Sequence, residues 1–379
     1  MNLSIEQRRY LGNKNLLLPF LESVITSECT NVESVGDFFA GTGVVSSYFN
    51  NFKLHIVSNE LLYANFCTIS AFLGDEIISI PDYQKLVLEL TVFADQLIEK
   101  RANKLSNAET NKVENVEINK VVNPETNKST NTMNEHDVQL PTNYFRENFG
   151  GTYFSNIDAY LIGELRERIN QLNLSRRLKY ALIATLIYSS DRIAYTCGHY
   201  DAYRKGVPKK SIFKLLPLAL KDGRENKGNI ILNNYAQKIA NLHFVDVAYL
   251  DPPYNSRQYC DSYHLLENLA QWDKPETSGI ACKFDRKHLK SDFNQIKAAK
   301  AMEELVRSLN CRYILLSYSN MEGKGHSRSS NKITEKELQH ILSIRGDVSM
   351  FEVPYRAFTT GKANVEDHRE RLYLCKVKR

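Results

Sequence analysis

The sequence contains no CxxC pair. Its cysteines, at 29, 67, 197, 260, 282, 311 and 375, are scattered along the chain. That argues against disulfide staples and against a zinc ribbon, and favours a reducing cytosol. No run approaches 18 consecutive apolar residues, so a membrane-spanning helix is not expected. The opening stretch MNLSIEQRRYLGNK has no signal-like apolar core, and the expected location is cytoplasmic. Neither sign of charge dominates: 49 Lys and Arg against 44 Asp and Glu leave a net charge of +5. This is compatible with a nucleic-acid partner without identifying one. What is present is ordinary, 42% hydrophobic and 25% charged, over 379 residues, enough for two or three domains.

The first hundred residues read as α/β. VESVGDFF and LHIVSNE are short apolar strands, and the stretches 16–24 and 61–73 have helical spacing. Alternating strands and helices imply a mostly parallel sheet. Residues 103–134 differ, with Asn recurring every four positions from 103 to 131. Asn is a poor helix former, Pro124 interrupts, and few residues there could build a core. The segment reads as a flexible insert, with a solvated helical hairpin as the alternative. Residues 144–220 turn aromatic and helical: IDAYLIGELRERINQL is amphipathic and LKYALIATLIYSSDRIAY more buried. The α/β pattern resumes at VDVAYLDPPY, continues through CRYILLSYSN, and closes on a hairpin of MFEVPYRAF and RLYLCKV.

Two motifs carry chemistry. DFFAGTG, residues 37–43, ends the first strand and opens a helix, whose free N–H groups and positive potential suit a carboxylate or phosphate. Glu60 follows the second strand, 17 residues beyond Gly43, where an acid can accept both hydroxyls of a ribose. The glycines alone also fit a plain tight turn. A nicotinamide fingerprint is incomplete, because Ser46 stands at its third glycine position. The second motif is YLDPPYNSRQY, residues 249–259. Pro252 and Pro253 have no N–H, so the turn offers carbonyls, the Asp251 carboxylate and the Tyr254 ring: an acceptor-rich pocket with a stacking face.

An acid-x-Phe-x-Gly-x-Gly motif, an acid after strand two and a late DPPY resemble the S-adenosylmethionine-dependent amino-methyltransferases. With RRYLGNK ahead of strand one and a long middle region, the order resembles the alpha group, the Dam-like DNA adenine N6-methyltransferases. The resemblance covers residues 8–75 and 240–379. It implies a Rossmann-like seven-stranded sheet, mostly parallel with the last strand antiparallel, carrying an inserted helical target-recognition region. The expected division is 1–100 for cofactor binding, 101–143 for the Asn-rich insert, 144–225 for recognition and 226–379 for the catalytic half.

Carried over residue by residue, the resemblance implies that Asp37, Phe38, Phe39, Gly41 and Gly43 wrap the cofactor's methionine part, with Asp251 bordering the same pocket. Glu60 holds the ribose, and Tyr10 and Lys14 close the pocket. Asn233 or Asn234 stands where relatives often carry an acid near the cofactor adenine, which leaves that contact unassigned. Asp251, Pro252, Pro253 and Tyr254 form the catalytic turn. The amine of adenine is a poor nucleophile, its lone pair being delocalised into the ring. Acceptors on its two N–H groups, the Asp251 carboxylate and the Pro252 carbonyl, localise that pair for in-line attack. A base inside a duplex must be flipped out, at a cost of a few kcal/mol. Stacking on Tyr254 offsets this by about 1–3 kcal/mol.

Ser317 and Asn320 follow strand five, where the family lines the base pocket. Arg204, Lys205 and Lys209 in the middle region, and Arg356 and Lys362 beside the last hairpin, are the candidate DNA contacts. Cys197 and His199 alone make no metal site, and His264 reads as a packed helix residue. The expected function is therefore methyl transfer to N6 of a flipped adenine in double-stranded DNA within a restriction–modification system, which allows a separately encoded restriction endonuclease as partner. The alternatives are an RNA adenine N6-methyltransferase, a catalytically silent nucleic-acid-binding relative, and a protein or small-molecule methyltransferase. The acid of DPPY counts against the last two.

Overall fold

The computed structural model describes residues 5, 8, 10–12, 14–113, 141–206, 212–254, 257–319, 333–354 and 369–378, those of 100–113 by their backbone alone. The chain enters through α1 (Leu18–Glu28), with Pro19 in its first turn, where a missing N–H costs nothing. Then β1 (Ser34–Asp37), α2 (Val44–Asn50), β2 (His55–Asn59) and α3 (Tyr63–Leu73) follow in strict alternation. A long helix, α4 (Ile80–Val113), leads away from the sheet. After it come α5 (Tyr144–Phe149), α6 (Asn156–Gln171) and α7 (Arg176–Ile193). The second half contributes β3 (Ile230–Leu232), α8 (Ala236–Ile239), β4 (Val245–Leu250), α9 (Tyr259–Ser262), α10 (His264–Gln271) and α11 (Ala298–Ser308). It closes with β5 (Cys311–Ser319), α12 (Glu335–Ser343), β6 (Gly346–Pro354) and β7 (Arg369–Val377).

Among the described residues, seven strands form one sheet in the order β3-β2-β1-β4-β5-β7-β6. β1 to β5 pair in parallel, and β7 runs antiparallel to both of its neighbours. The expected fold class is thus the observed one. β4, VDVAYL, is buried along its whole length, as a strand covered on both faces must be. The near end of β4 is tied to β1 by Asp246, whose carboxylate accepts the N–H groups of Glu33 and Ser34 and pairs with Arg312. β6 is the edge strand; it alternates in exposure and ends at Pro354, which cannot extend the ladder.

The central strands show two distinct faces. Ala248 and Leu250, Ile314, Leu316 and Tyr318, and Tyr373 and Cys375 pack with α8, α11 and α12. Val35, Val247, Tyr249, Leu315, Leu372 and Leu374 pack with α1 and α2. A third apolar cluster joins α3, α4, α6, α7 and α10.

One boundary differs from the sequence reading. The α4 backbone stays helical to Val113, beyond the expected start of the insert at 101. The helix continues from an amphipathic beginning, in which Tyr83, Val87, Leu90 and Ala94 are buried, so packing upstream outweighs the low propensity of Asn downstream. Residues 114–140 of the Asn-rich repeat lie outside the described residues. The 144–225 region shares its core with α3 and α10, so the expected recognition region is built onto the sheet's own helical layer. No described helix is long and apolar enough to cross a membrane.

Candidate active site

The site gathers where β1, β2, β4 and β5 end and β7 begins. Asp37, the last residue of β1, is 1% exposed. Its Oδ2 accepts from the backbone N–H (3.2 Å) and the hydroxyl (2.8 Å) of Ser46 in α2. Its Oδ1 is buried with no partner among the described residues. Burial pushes its carboxyl up to about 7 against those hydrogen bonds, and the nearby Asp251 adds to the rise.

The glycines of DFFAGTG have different reasons to be there. Gly41 takes φ +54°, and a Cβ on it would come 3.2 Å from the Tyr10 ring, so this glycine lets the aromatic strap close on the pocket. Gly43, at φ +81°, caps α2, and a Cβ there would lie 2.8 Å from Ile5 and Ile69. Its requirement is conformation and packing, and it does not line the pocket.

Glu60 is already engaged on both oxygens: Oε2 accepts from Gly41 N–H at 2.8 Å and Oε1 from Leu62 N–H at 3.0 Å. Burial pushes it up to about 7, opposed by those same bonds. Oε1 also accepts from the Asn65 side-chain amide at 3.5 Å, so the lone pair left for a ligand hydroxyl is on Oε2. Asn59 holds Phe38 and Asn234 by their carbonyls, and Asn233 holds the carbonyls of Glu60 and Leu61. The two asparagines considered for the adenine side therefore tie β2 to β3.

Asp37, Gly41, Asn59, Glu60 and Asn234 line one pocket with Tyr10, Lys14, Phe38, Phe39, Tyr235, Tyr249, Asp251 and Pro253, leaving about 970 Å³ between protein atoms, open solvent at its mouth included. That is the scale of a site for a nucleoside joined to an amino acid. A segment unnoticed in the sequence closes one side: Leu289, Ser291, Asp292 and Phe293 also line it. Tyr235 donates to the His288 carbonyl, and Gln258 and Ser291 exchange two hydrogen bonds of 3.0 and 2.9 Å. The Phe293 ring meets Phe39 edge-on at 4.9 Å.

The strap before α1 is clasped from the other half of the chain. Leu11 N–H donates to the Tyr263 hydroxyl at 2.8 Å, and the Tyr259 hydroxyl donates to the Leu11 carbonyl at 3.3 Å. The Tyr10 ring stacks on both, 4.6 Å from Tyr263 and 5.3 Å from Tyr259. Tyr259 and Tyr263 stand one helical turn apart just after the DPPY turn. That i, i+4 pair was the available signal for the clasp.

Asp251 follows β4 directly. Lys14 Nζ lies 3.1 Å from its Oδ1 and 3.4 Å from Oε1 of Glu370 in β7. Burial pushes Asp251 up to about 6; Lys14 opposes the rise and Glu370 adds to it. Burial also works against the Lys14 charge, but Asp251 and Glu370 outweigh it and hold the ammonium well above its ordinary value. The Tyr254 ring sits 5.4 Å from Tyr318, with Lys14 Nζ 5.7 Å from its centre on the polar side. Pro252 is buried in the turn.

Ser317 is fully buried on β5, beside its ladder partner Leu372, and does not line this pocket. Arg204 and Lys205 are exposed on a turn away from the pocket lining. That turn precedes a strap pinned by Asp158 to the N–H groups of Ile212 and Phe213 and by Ser189 to that of Leu216. Lys209, Asn320, Arg356 and Lys362 lie outside the described residues. His264 is buried against the Tyr200 carbonyl, a packing role, and His199 faces Asp201 at 3.4 Å.

Comparison with known proteins adds the family. Over 96% of its length the chain is 31% identical to the modification methylase StsI of Streptococcus sanguinis, and it spans 50% of that protein. It is 26% identical to the modification methylase LlaI of Lactococcus lactis subsp. lactis, again over 96% of this chain and 53% of the relative. The chain thus spans about half the length of these two relatives. Against the type II methyltransferase M.NlaIII of Neisseria lactamica the identity is 26%, over 95% of both chains. The pattern of the D12 class N6 adenine-specific DNA methyltransferases matches residues 10–341, from the Tyr10 strap through α12. The chain belongs to that family.

Proposed function

We propose that the protein transfers a methyl group from S-adenosylmethionine to N6 of an adenine flipped out of duplex DNA, as the modification arm of a restriction–modification system. The observation that carries this reading is Asp251. It is an acid held at the end of β4, on a turn whose two prolines have no N–H to consume its oxygens, at the border of a pocket containing the unpartnered Asp37 Oδ1. Asp37 suits a cationic amino group, Glu60 a ribose, and the Phe39 and Phe293 rings a flat heterocycle. The donor set therefore fits the cofactor.

S-adenosylmethionine, when bound, supplies the electrophilic methyl group. The chain's own residues do the rest. Tyr10 and its tyrosine clasp close the pocket and exclude water. Asp251 and the Pro252 carbonyl accept the two amine hydrogens, so the nitrogen lone pair is directed at the donor. Tyr254 gives the extruded base a face. After transfer the amine proton passes to Asp251 and on to solvent.

The test is Asp251→Ala, with cofactor binding measured by calorimetry and products by mass spectrometry of digested nucleic acid. Cofactor affinity should stay within a few-fold, and N6-methyladenine in duplex DNA should disappear. Near-normal turnover of the variant would sink the mechanism. N4-methylcytosine from the wild type, or methylation of structured RNA in preference to DNA, would sink the substrate assignment.

A further inference from the structure

Glu370 takes no step in the proposed transfer, yet it is the second carboxylate on Lys14. It is 2% exposed. Its Oε1 faces Lys14 at 3.4 Å, and its Oε2 is buried with no partner among the described residues. A buried carboxylate left half-satisfied is costly, and such groups persist where their charge acts on a neighbour. Register explains the placement. Leu250 pairs with Leu316 and Ser319 with Glu370. One step beyond β4, Asp251 therefore stands on the same face of the sheet as Ser317, Ser319 and Glu370. Lys14 enters from the strap between the two acids.

An ammonium beside Asp251 alone would keep that acid ionised but would also occupy the oxygens that the target amine needs. A second carboxylate on the far side divides the ammonium between two partners. We infer that Glu370 is a positioning residue for methyl transfer: it draws Lys14 toward β7, so that Asp251 remains charged yet free to accept the amine. This rests on the proposed role of Asp251. The charges facing Asp251 are Lys14 from the strap, Glu370 from β7 and Asp37 from β1. Tyr249 and Tyr259 face it with hydroxyls that burial keeps neutral.

The experiment is the pH dependence of single-turnover DNA methylation in the wild type, Glu370→Gln, Glu370→Asp and Lys14→Met, with cofactor affinity measured alongside. Glu370 repels a charge on Asp251, so its neutralisation moves the acid limb to lower pH, by on the order of one unit. The plateau rate falls about tenfold, the scale of one misdirected charged hydrogen bond, at unchanged cofactor affinity. Lys14→Met moves the limb the other way, to higher pH. Glu370→Asp keeps the charge and leaves the limb in place, with a partial loss of plateau. An unmoved limb in Glu370→Gln, with only the melting temperature lowered, overturns the inference. If the Gln variant does not fold, the Asp variant decides: a lowered plateau at an unmoved limb supports the positioning role, and a wild-type plateau overturns it. The underlying reading is separable, because it fails only if Asp251→Ala stays active.

Discussion

The two faces of the sheet use the same strands differently. On the α8–α11–α12 side, β4, β5 and β7 present Ala248 and Leu250, Ile314, Leu316 and Tyr318, and Tyr373 and Cys375, apolar almost to the strand ends. On the α1–α2 side each strand is apolar at the end remote from the site, with Val35, Val247, Leu315, Leu372 and Leu374. Within one or two alternations it becomes polar, at Asp37, Asp251, Ser317, Ser319 and Glu370. One face is insulation and the other changes from core to site along a single strand. Because side chains alternate with period two, a one-residue slip in β4 would exchange the two sets. The uninterrupted apolar face thus holds in register the face that carries charge.

That division can be broken experimentally. The largest effect is expected on the polar face: Asp251→Ala should cost methyl transfer on the order of a thousandfold or more with little change in melting temperature. Its counterpart one residue earlier, Leu316-facing Leu250, is best probed through Leu316→Ala. That change opens a cavity and should lower stability by about 2–5 kcal/mol in denaturant titration, with turnover per folded molecule retained. If Leu316→Ala abolished turnover in the folded fraction, the two faces would not be separable. A smaller effect is expected at the clasp. Tyr259→Phe removes one hydrogen bond to Leu11 and should weaken cofactor binding by about 1 kcal/mol in calorimetry, with the stacked ring preserved. The smallest concerns the Asn-rich repeat. Replacing 114–140 by a short Gly/Ser linker should change stability by less than about 0.5 kcal/mol and leave activity intact, since few residues there could build a core. A large drop in melting temperature would show that the repeat packs on the fold.

Much of the fold was legible because it is local. VESVGDFF and VDVAYL announce buried strands by composition, and DFFAGTG and DPPY announce strand ends by their punctuation. That Asp37, Gly41 and Glu60 line one pocket follows from the same local punctuation. What escaped is non-local. Nothing in RLYLCKV or its flank marks Glu370 as the partner of Lys14, because that pairing depends on the antiparallel insertion of β7 beside β5. The cover formed by Leu289 to Phe293 has no periodic pattern and is held by isolated contacts from Tyr235 and Gln258. Ser317 stands at the expected distance from the motif, but its burial depends on packing that the local sequence does not show. The repeat misled at its edge, where helix α4 runs on past the point at which composition turns unfavourable.

The Lys14–Glu370 contact spans 356 positions of sequence. Contacts of such separation are made late, because the long loop must close before they stabilise anything. During synthesis the Tyr10 strap and the first two strands emerge before β7. A nascent chain can therefore build a nucleoside-sized cleft well before the acid that steadies its lysine exists. Competence to modify a base would then appear in one step, when the strand bearing Glu370 slots in beside β5.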